Sequence, residues 1–174
     1  MVRLLPLVWL IFPAVSLVAQ PPSTAPPSAE PADAPLSVES KYLSGVRQVT
    51  SDYQKAGEGY FSPDGREIVY QAIREGYPFY QIYSESLANP AEPQRVSTGR
   101  GRTTCSYFHP TDPGRILLAS SHLDPQLTKT EQAAIRQAEE DARSGRRRRY
   151  SWVFDPHMDL FEATPDGVIT RRLT

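Results

Sequence analysis

The sequence predicts an all-β fold: about two tandem four-stranded antiparallel sheets with one inserted α-helix, standing behind an export signal and a proline-rich tether. Three observations predict it. From Tyr42 onward, short aromatic and β-branched runs are broken by Gly, Pro, Asp and Asn, which is the pattern of short antiparallel strands. Two unrelated motifs recur at a single spacing, the mark of a tandem unit. A stretch of strong helix formers interrupts only the second copy.

The N-terminal part lies outside any core. Residues 1–19 read as a secretory signal peptide, with Arg3 as the positive start, an apolar run from Leu4 to Val18 and the small Ala19 at the cut. The run is shorter than the roughly 20 apolar residues that span a bilayer, and Pro6 and Pro13 interrupt it. An uncleaved N-terminal anchor is the alternative reading. No cysteine follows the run, so a lipid anchor through a lipobox thiol is excluded. Export implies a periplasmic or extracellular location with no stable membrane span after cleavage. Residues 20–41 form a linker whose Pro, Ala, Ser and acidic composition buries too little to offset the entropy of ordering, so a disordered, extended tether is expected.

The folded part, residues 42–174, is organised by repetition. Arg47-Gln48-Val49-Thr50 recurs 47 positions later as Gln94-Arg95-Val96-Ser97, and Tyr60-Phe61-Ser62-Pro63 recurs at the same distance as Tyr107-Phe108-His109-Pro110. A unit of this length fits one four-stranded blade of a β-propeller. The first unit runs over about 47–97 and the second over about 98–174. Two such blades make an incomplete ring, because closure takes four or more.

Within the first unit, Ser62-Pro63-Asp64-Gly65 has tight-turn chemistry: proline presets φ, aspartate accepts from nearby backbone N–H groups, and glycine takes positive φ. It joins a strand ending at Tyr60-Phe61 to one holding Ile68-Val69-Tyr70. The third strand is expected over Tyr80 to Ser86 and the fourth from Arg95. Gln81 to Glu85 aligns with Met158 to Glu162, and Gln94 to Ser97 with Arg171 to Thr174, so about 30 residues are inserted in the second unit, over 124–156.

The insertion carries a helix. Thr128-Lys129-Thr130-Glu131 fits a capping box, residues 131–143 are helix formers, and Ser144-Gly145 supplies the stop. Ala134, Ile135, Ala138 and Ala142 make only a thin apolar stripe, so loose packing is expected, and Glu139 and Arg143 stand four apart as a pair. Arg146, Arg147, Arg148 and Arg149 follow as the densest charge in the chain. They read either as a docking patch for an acidic partner or as a solvated loop balanced by Glu139, Glu140 and Asp141. The net charge of -1 gives no global attraction to nucleic acid, and none is expected as a partner.

Cys105, the one cysteine, permits no internal disulfide and reads as a small buried core residue. His109, His122 and His157 lie in the second unit with Asp124, Asp155 and Asp159, but their spacing matches no metal-ligand motif. Asp155-Pro156-His157-Met158-Asp159 alternates as a strand would. The sequence contains no nucleophile elbow, HExxH pair, phosphate-binding glycine loop or dinucleotide fingerprint. No catalytic residue, cofactor or metal is therefore assigned.

The run Phe61-Ser62-Pro63-Asp64-Gly65-Arg66-Glu67-Ile68-Val69-Tyr70 resembles the Phe-Ser-Pro-Asp-Gly repeat of TolB-like periplasmic β-propellers. The second copy departs from it by stretching the turn to Phe108-His109-Pro110-Thr111-Asp112-Pro113-Gly114, and Thr164-Pro165-Asp166-Gly167 resembles a further copy in another hairpin. The resemblance covers about residues 45–174 and implies a non-enzymatic module that binds a protein or peptide, in envelope transport or integrity. Similar repeats occur in propellers of prolyl-oligopeptidase-type peptidases. That leaves an alternative, the substrate-gating part of a longer secreted hydrolase.

Overall fold

The structure, a computed structural model, describes residues 38–89, 92–146 and 154–174. The chain divides into two units, Met1–Val46 and Arg47–Thr174. In the first, the described residues hold a short 3-10 turn, Val38–Lys41, where Tyr42 and Leu43 both donate to the Glu39 carbonyl at 2.9 Å. The expected signal peptide and most of the tether lie outside the described residues.

The second unit is mostly β. Strands β1 (Lys55–Phe61), β2 (Glu67–Ile73), β3 (Gln81–Ser86) and β4 (Gln94–Arg95) form one antiparallel meander. Strands β5 (Thr103–Phe108), β6 (Ile116–Ser120), β7 (Asp159–Ala163) and β8 (Ile169–Arg172) form a second, with helix α1 (Leu127–Ser144) between β6 and β7. The predicted pair of four-stranded sheets with one inserted helix is what the chain adopts.

The sheets repeat in detail. Phe61 pairs with Ile68 and Tyr60 with Val69, and the same places in the second sheet hold Phe108 with Ile116 and Tyr107 with Leu117. Each first strand is bulged at the same point, where Glu58 and Cys105, 47 positions apart, sit at φ 48° and 52°. A non-glycine residue there costs roughly 1–2 kcal/mol. At the far edge the Ile82 N–H donates to Ser97 Oγ at 3.0 Å, and the Leu160 N–H donates to Thr174 Oγ1 at 3.0 Å.

One sequence alignment shifts by one residue. The turn after Phe108 is longer than the one after Phe61, so β6 and β7 slide along. Tyr70 faces Tyr83, and Leu118 faces Phe161, so Tyr83 corresponds to Phe161 and Ile82 to Leu160. Equal stretches of letters match Gln81 to Met158; the register matches it to Asp159 instead.

Unlike faces pack together. The first sheet contributes Val69, Ile82 and Val96, and the second contributes Phe108, Ile116, Leu118, Phe161 and Ala163, all at most 1% exposed. Each large apolar side chain buried here contributes about 1.5–3 kcal/mol. At one edge Gly167 approaches so closely that a Cβ would lie 2.6 Å from the Arg95 carbonyl oxygen.

Helix α1 begins otherwise than expected. Its N-cap is Gln126, whose side chain makes no capping bond, and Thr128 lies inside the helix, so the capping box does not form. Asp124 does the local work instead, accepting from the Gln126 N–H at 2.7 Å and from Thr130 Oγ1 at 2.9 Å. The expected stop holds, with Gly145 left-handed at φ 64°. The thin stripe packs loosely, with Ala134 and Ile135 half-buried and Ala138 and Ala142 exposed. Arg143 bonds the Glu139 backbone carbonyl at 3.4 Å rather than its carboxylate. Among the described residues, no helix is long and apolar enough to cross a membrane.

Candidate functional site

The outer face of the first sheet is built around tyrosine. Strand alternation puts Ile68, Tyr70 and Ala72 on the side away from the second sheet, and the β2–β3 register sets Tyr83 beside Tyr70, with ring centroids 6.2 Å apart. Tyr53, arriving before β1, meets both rings and shares a 3.1 Å hydrogen bond between its hydroxyl and that of Tyr70. Tyr70 in turn donates to Glu85 Oε2 at 3.2 Å. Burial, together with those two neighbours, pushes the Tyr70 hydroxyl far above its ordinary pKa, so it stays a neutral donor.

Arg74 lies over this cluster, 5.6 Å from the Tyr53 ring centre and 5.0 Å from that of Tyr83. Such stacking contributes about 0.5–1 kcal/mol at exposed sites. Beyond it opens a cleft of about 510 Å³ rimmed by Asp52, Glu75, Glu85 and Glu92. Four carboxylates against one guanidinium make the rim acidic, and its chemistry suits cationic or hydrogen-bonding groups.

A second polar node fixes the helix. The Glu131 carboxylate leaves α1 to accept from Tyr77 Oη at 2.7 Å, from Arg100 Nε at 2.9 Å and from the Gly101 N–H at 3.1 Å. Burial alone would raise its pKa, but these donors outweigh that and hold it down to about 2. Gly101 is needed here: φ is 72°, and a Cβ would meet the His122 backbone nitrogen at 2.8 Å. One end of α1 is thereby tied to the loop between β4 and β5, and the other end leads into the arginine run.

Of that run, Arg146 is exposed just past the helix, its N–H bonded to the Asp141 carbonyl at 3.0 Å, while Arg147, Arg148 and Arg149 lie outside the described residues. The turn Phe61 to Gly65 forms tightly. Ser62 Oγ donates to Asp64 Oδ1 at 2.6 Å and accepts from the Glu67 N–H, while the Arg66 N–H also reaches Asp64. The Ser62 hydroxyl, then the Arg66 N–H, hold the Asp64 carboxyl below its usual range.

Two expectations are corrected. Cys105 is exposed rather than buried, because the bulge turns it outward, where Sγ lies 3.6 Å from Glu58 Oε2. Residues 155–158 form a turn, and the strand starts only at Asp159, because Asp155 accepts from the His157 N–H and bends the chain. The histidines separate: His157 lies 3.6 Å from Asp124, His122 packs on Phe161, and His109 contacts Thr111. Among the described residues, no three His, Cys, Asp or Glu side chains converge as a metal site.

Sequence reading misses Tyr53, Arg74 and Glu131 as members of these clusters. The Tyr70–Tyr83 pair is accessible from hairpin counting across the β2–β3 loop, whereas Tyr53 and Arg74 reach it only through the fold. No family model, curated protein or solved structure matches this chain.

Proposed function

We propose that residues 47–174 are two consecutive blades of a TolB-like β-propeller in an exported protein, and that they serve as a protein- or peptide-binding module. One observation carries the reading. The two sheets agree in bulge, register and edge hydroxyl, and they stack unlike face on unlike face, so each sheet covers one neighbour and presents a face for another. Stacking of this kind around an axis is how propeller blades bury their apolar faces.

The binding role is supported by what surrounds the stack. Residues in the sheet interior are apolar, hydroxyl-bearing or, at Gln71 and Gln81, neutral amides, while carboxylates gather at the acidic cleft and an arginine segment follows α1 in sequence. The arginine segment favours an acidic peptide or protein surface, and salt screens such contacts.

The test is an anisotropy titration of a fluorescein-labelled acidic peptide with the chain and with a variant carrying Arg146→Ser, Arg147→Ser, Arg148→Ser and Arg149→Ser. The variant is expected to lose at least tenfold in affinity at low salt, and the parent affinity is expected to fall as salt rises. Equal affinity for the two proteins would remove the arginine segment from the binding surface.

A further inference from the structure

At opposite ends of the stack, the second sheet presents the counterpart of the first sheet's packed face, and the first sheet presents in part the counterpart of the second's. Val69, Ile82 and Val96 of the first sheet are 0% exposed because the second sheet covers them. Their counterparts in the second sheet, fixed by strand register and by matching edge hydrogen bonds, are Leu117, Leu160 and Leu173, which are 37%, 40% and 38% exposed. The covering residues inside the chain are led by Phe108 and Ile116; their counterparts in the first sheet are Phe61, 65% exposed, and the half-buried Ile68.

We propose that the leucine face of the second sheet is an interface between copies of this chain, taking the Phe61–Ile68 face of a second copy. On one side leucines stand in place of valines and isoleucine; on the other the Phe–Ile pair is kept, while Tyr70, Tyr83 and Glu85 stand where the packed face has Leu118, Phe161 and Ala163. Tyr53 and Arg74 cover the far part of the acceptor face over Tyr70 and Tyr83, so the contact falls on its open part, at Phe61 and Ile68. The faces differ, so the interface is heterologous and each added copy presents a fresh face at either end. Such an interface extends the partial equivalence of the two sheets and needs no closed ring.

The test is light scattering with size exclusion on the full chain over a wide concentration range, beside Leu160→Asp and Phe61→Asp variants. Far-UV circular dichroism and a thermal melt establish that each is folded. The parent chain is expected to associate with concentration, and each variant alone to shift the half-association concentration upward more than tenfold. An equimolar mixture of the two variants is expected to form a one-to-one complex and stop there, because one intact leucine face and one intact phenylalanine face remain. A parent chain that stays monomeric throughout overturns the proposal, as does Phe61→Asp association equal to that of the parent. No residue is shared with the arginine titration above, so each reading can fail alone.

Discussion

Phe61 and Phe108 hold the same place in their sheets, each opposite an isoleucine near the start of the next strand, yet Phe61 is 65% exposed and Phe108 only 1%. Residue type and local conformation are equal, so the difference comes wholly from whether a neighbouring sheet lies on that face. Phe108→Ala should therefore destabilise by about 3–5 kcal/mol, and Phe61→Ala should stay within about 0.5 kcal/mol in dilute monomer. Urea unfolding midpoints for the two variants measure this; similar losses would mean that the sheets do not stack as described.

The Glu131 node sets an acid sensitivity. An ordinary glutamate titrates near 4.5, and this one is held down to about 2 in the fold. A lowered folded pKa contributes stability that is complete above the ordinary value and drains away as pH falls from about 4.5 towards about 2. Glu131→Gln should cost about 1–3 kcal/mol at neutral pH, since it removes the charge on which the Tyr77 hydroxyl, the Arg100 guanidinium and the Gly101 N–H converge. It should also flatten the pH dependence of unfolding in that acidic window. An unchanged slope there would place the acid sensitivity elsewhere.

Two glycines at positive φ separate conformational from steric demand. Gly65 has φ 68° and open space where a Cβ would stand, with no heavy atom within 4 Å, so Gly65→Ala should cost only about 1 kcal/mol. Gly167 has φ 89° and would press a Cβ to 2.6 Å from the Arg95 carbonyl, so Gly167→Ala should cost clearly more, about 2–4 kcal/mol. Thermal melts of the pair should rank them in that order.

The bulges predict a reversal of an ordinary rule. Glycine inside a strand usually costs about 0.5–1 kcal/mol, but Glu58 and Cys105 sit in the left-handed region where a side chain is strained. Glu58→Gly and Cys105→Gly should be neutral or stabilising by up to about 1 kcal/mol in urea unfolding. A loss above that size would show that the side chains contribute more than the strain costs.

The repeat, the Ser62–Gly65 turn, the strands and the helix stop at Gly145 are legible in the sequence because each rests on local chemistry: alternation, turn residues, or a glycine at positive φ. The helix start and the exposure of Cys105 are not. Thr128 and Glu131 have the spacing of a capping box, but Arg100, Tyr77 and the Gly101 N–H, 30 or more residues away in sequence, compete for the carboxylate and win it. Cys105 reads as an alternating strand residue until a bulge reverses its direction.

That two like units follow one another, and where their turns fall, is written in the letters alone, since period, proline and glycine act over a few residues at a time. Which face of each sheet is covered is instead a matter of long-range packing. Val69 and Leu117 have the same local setting, and the second layer over Val69 makes one core and leaves the other open.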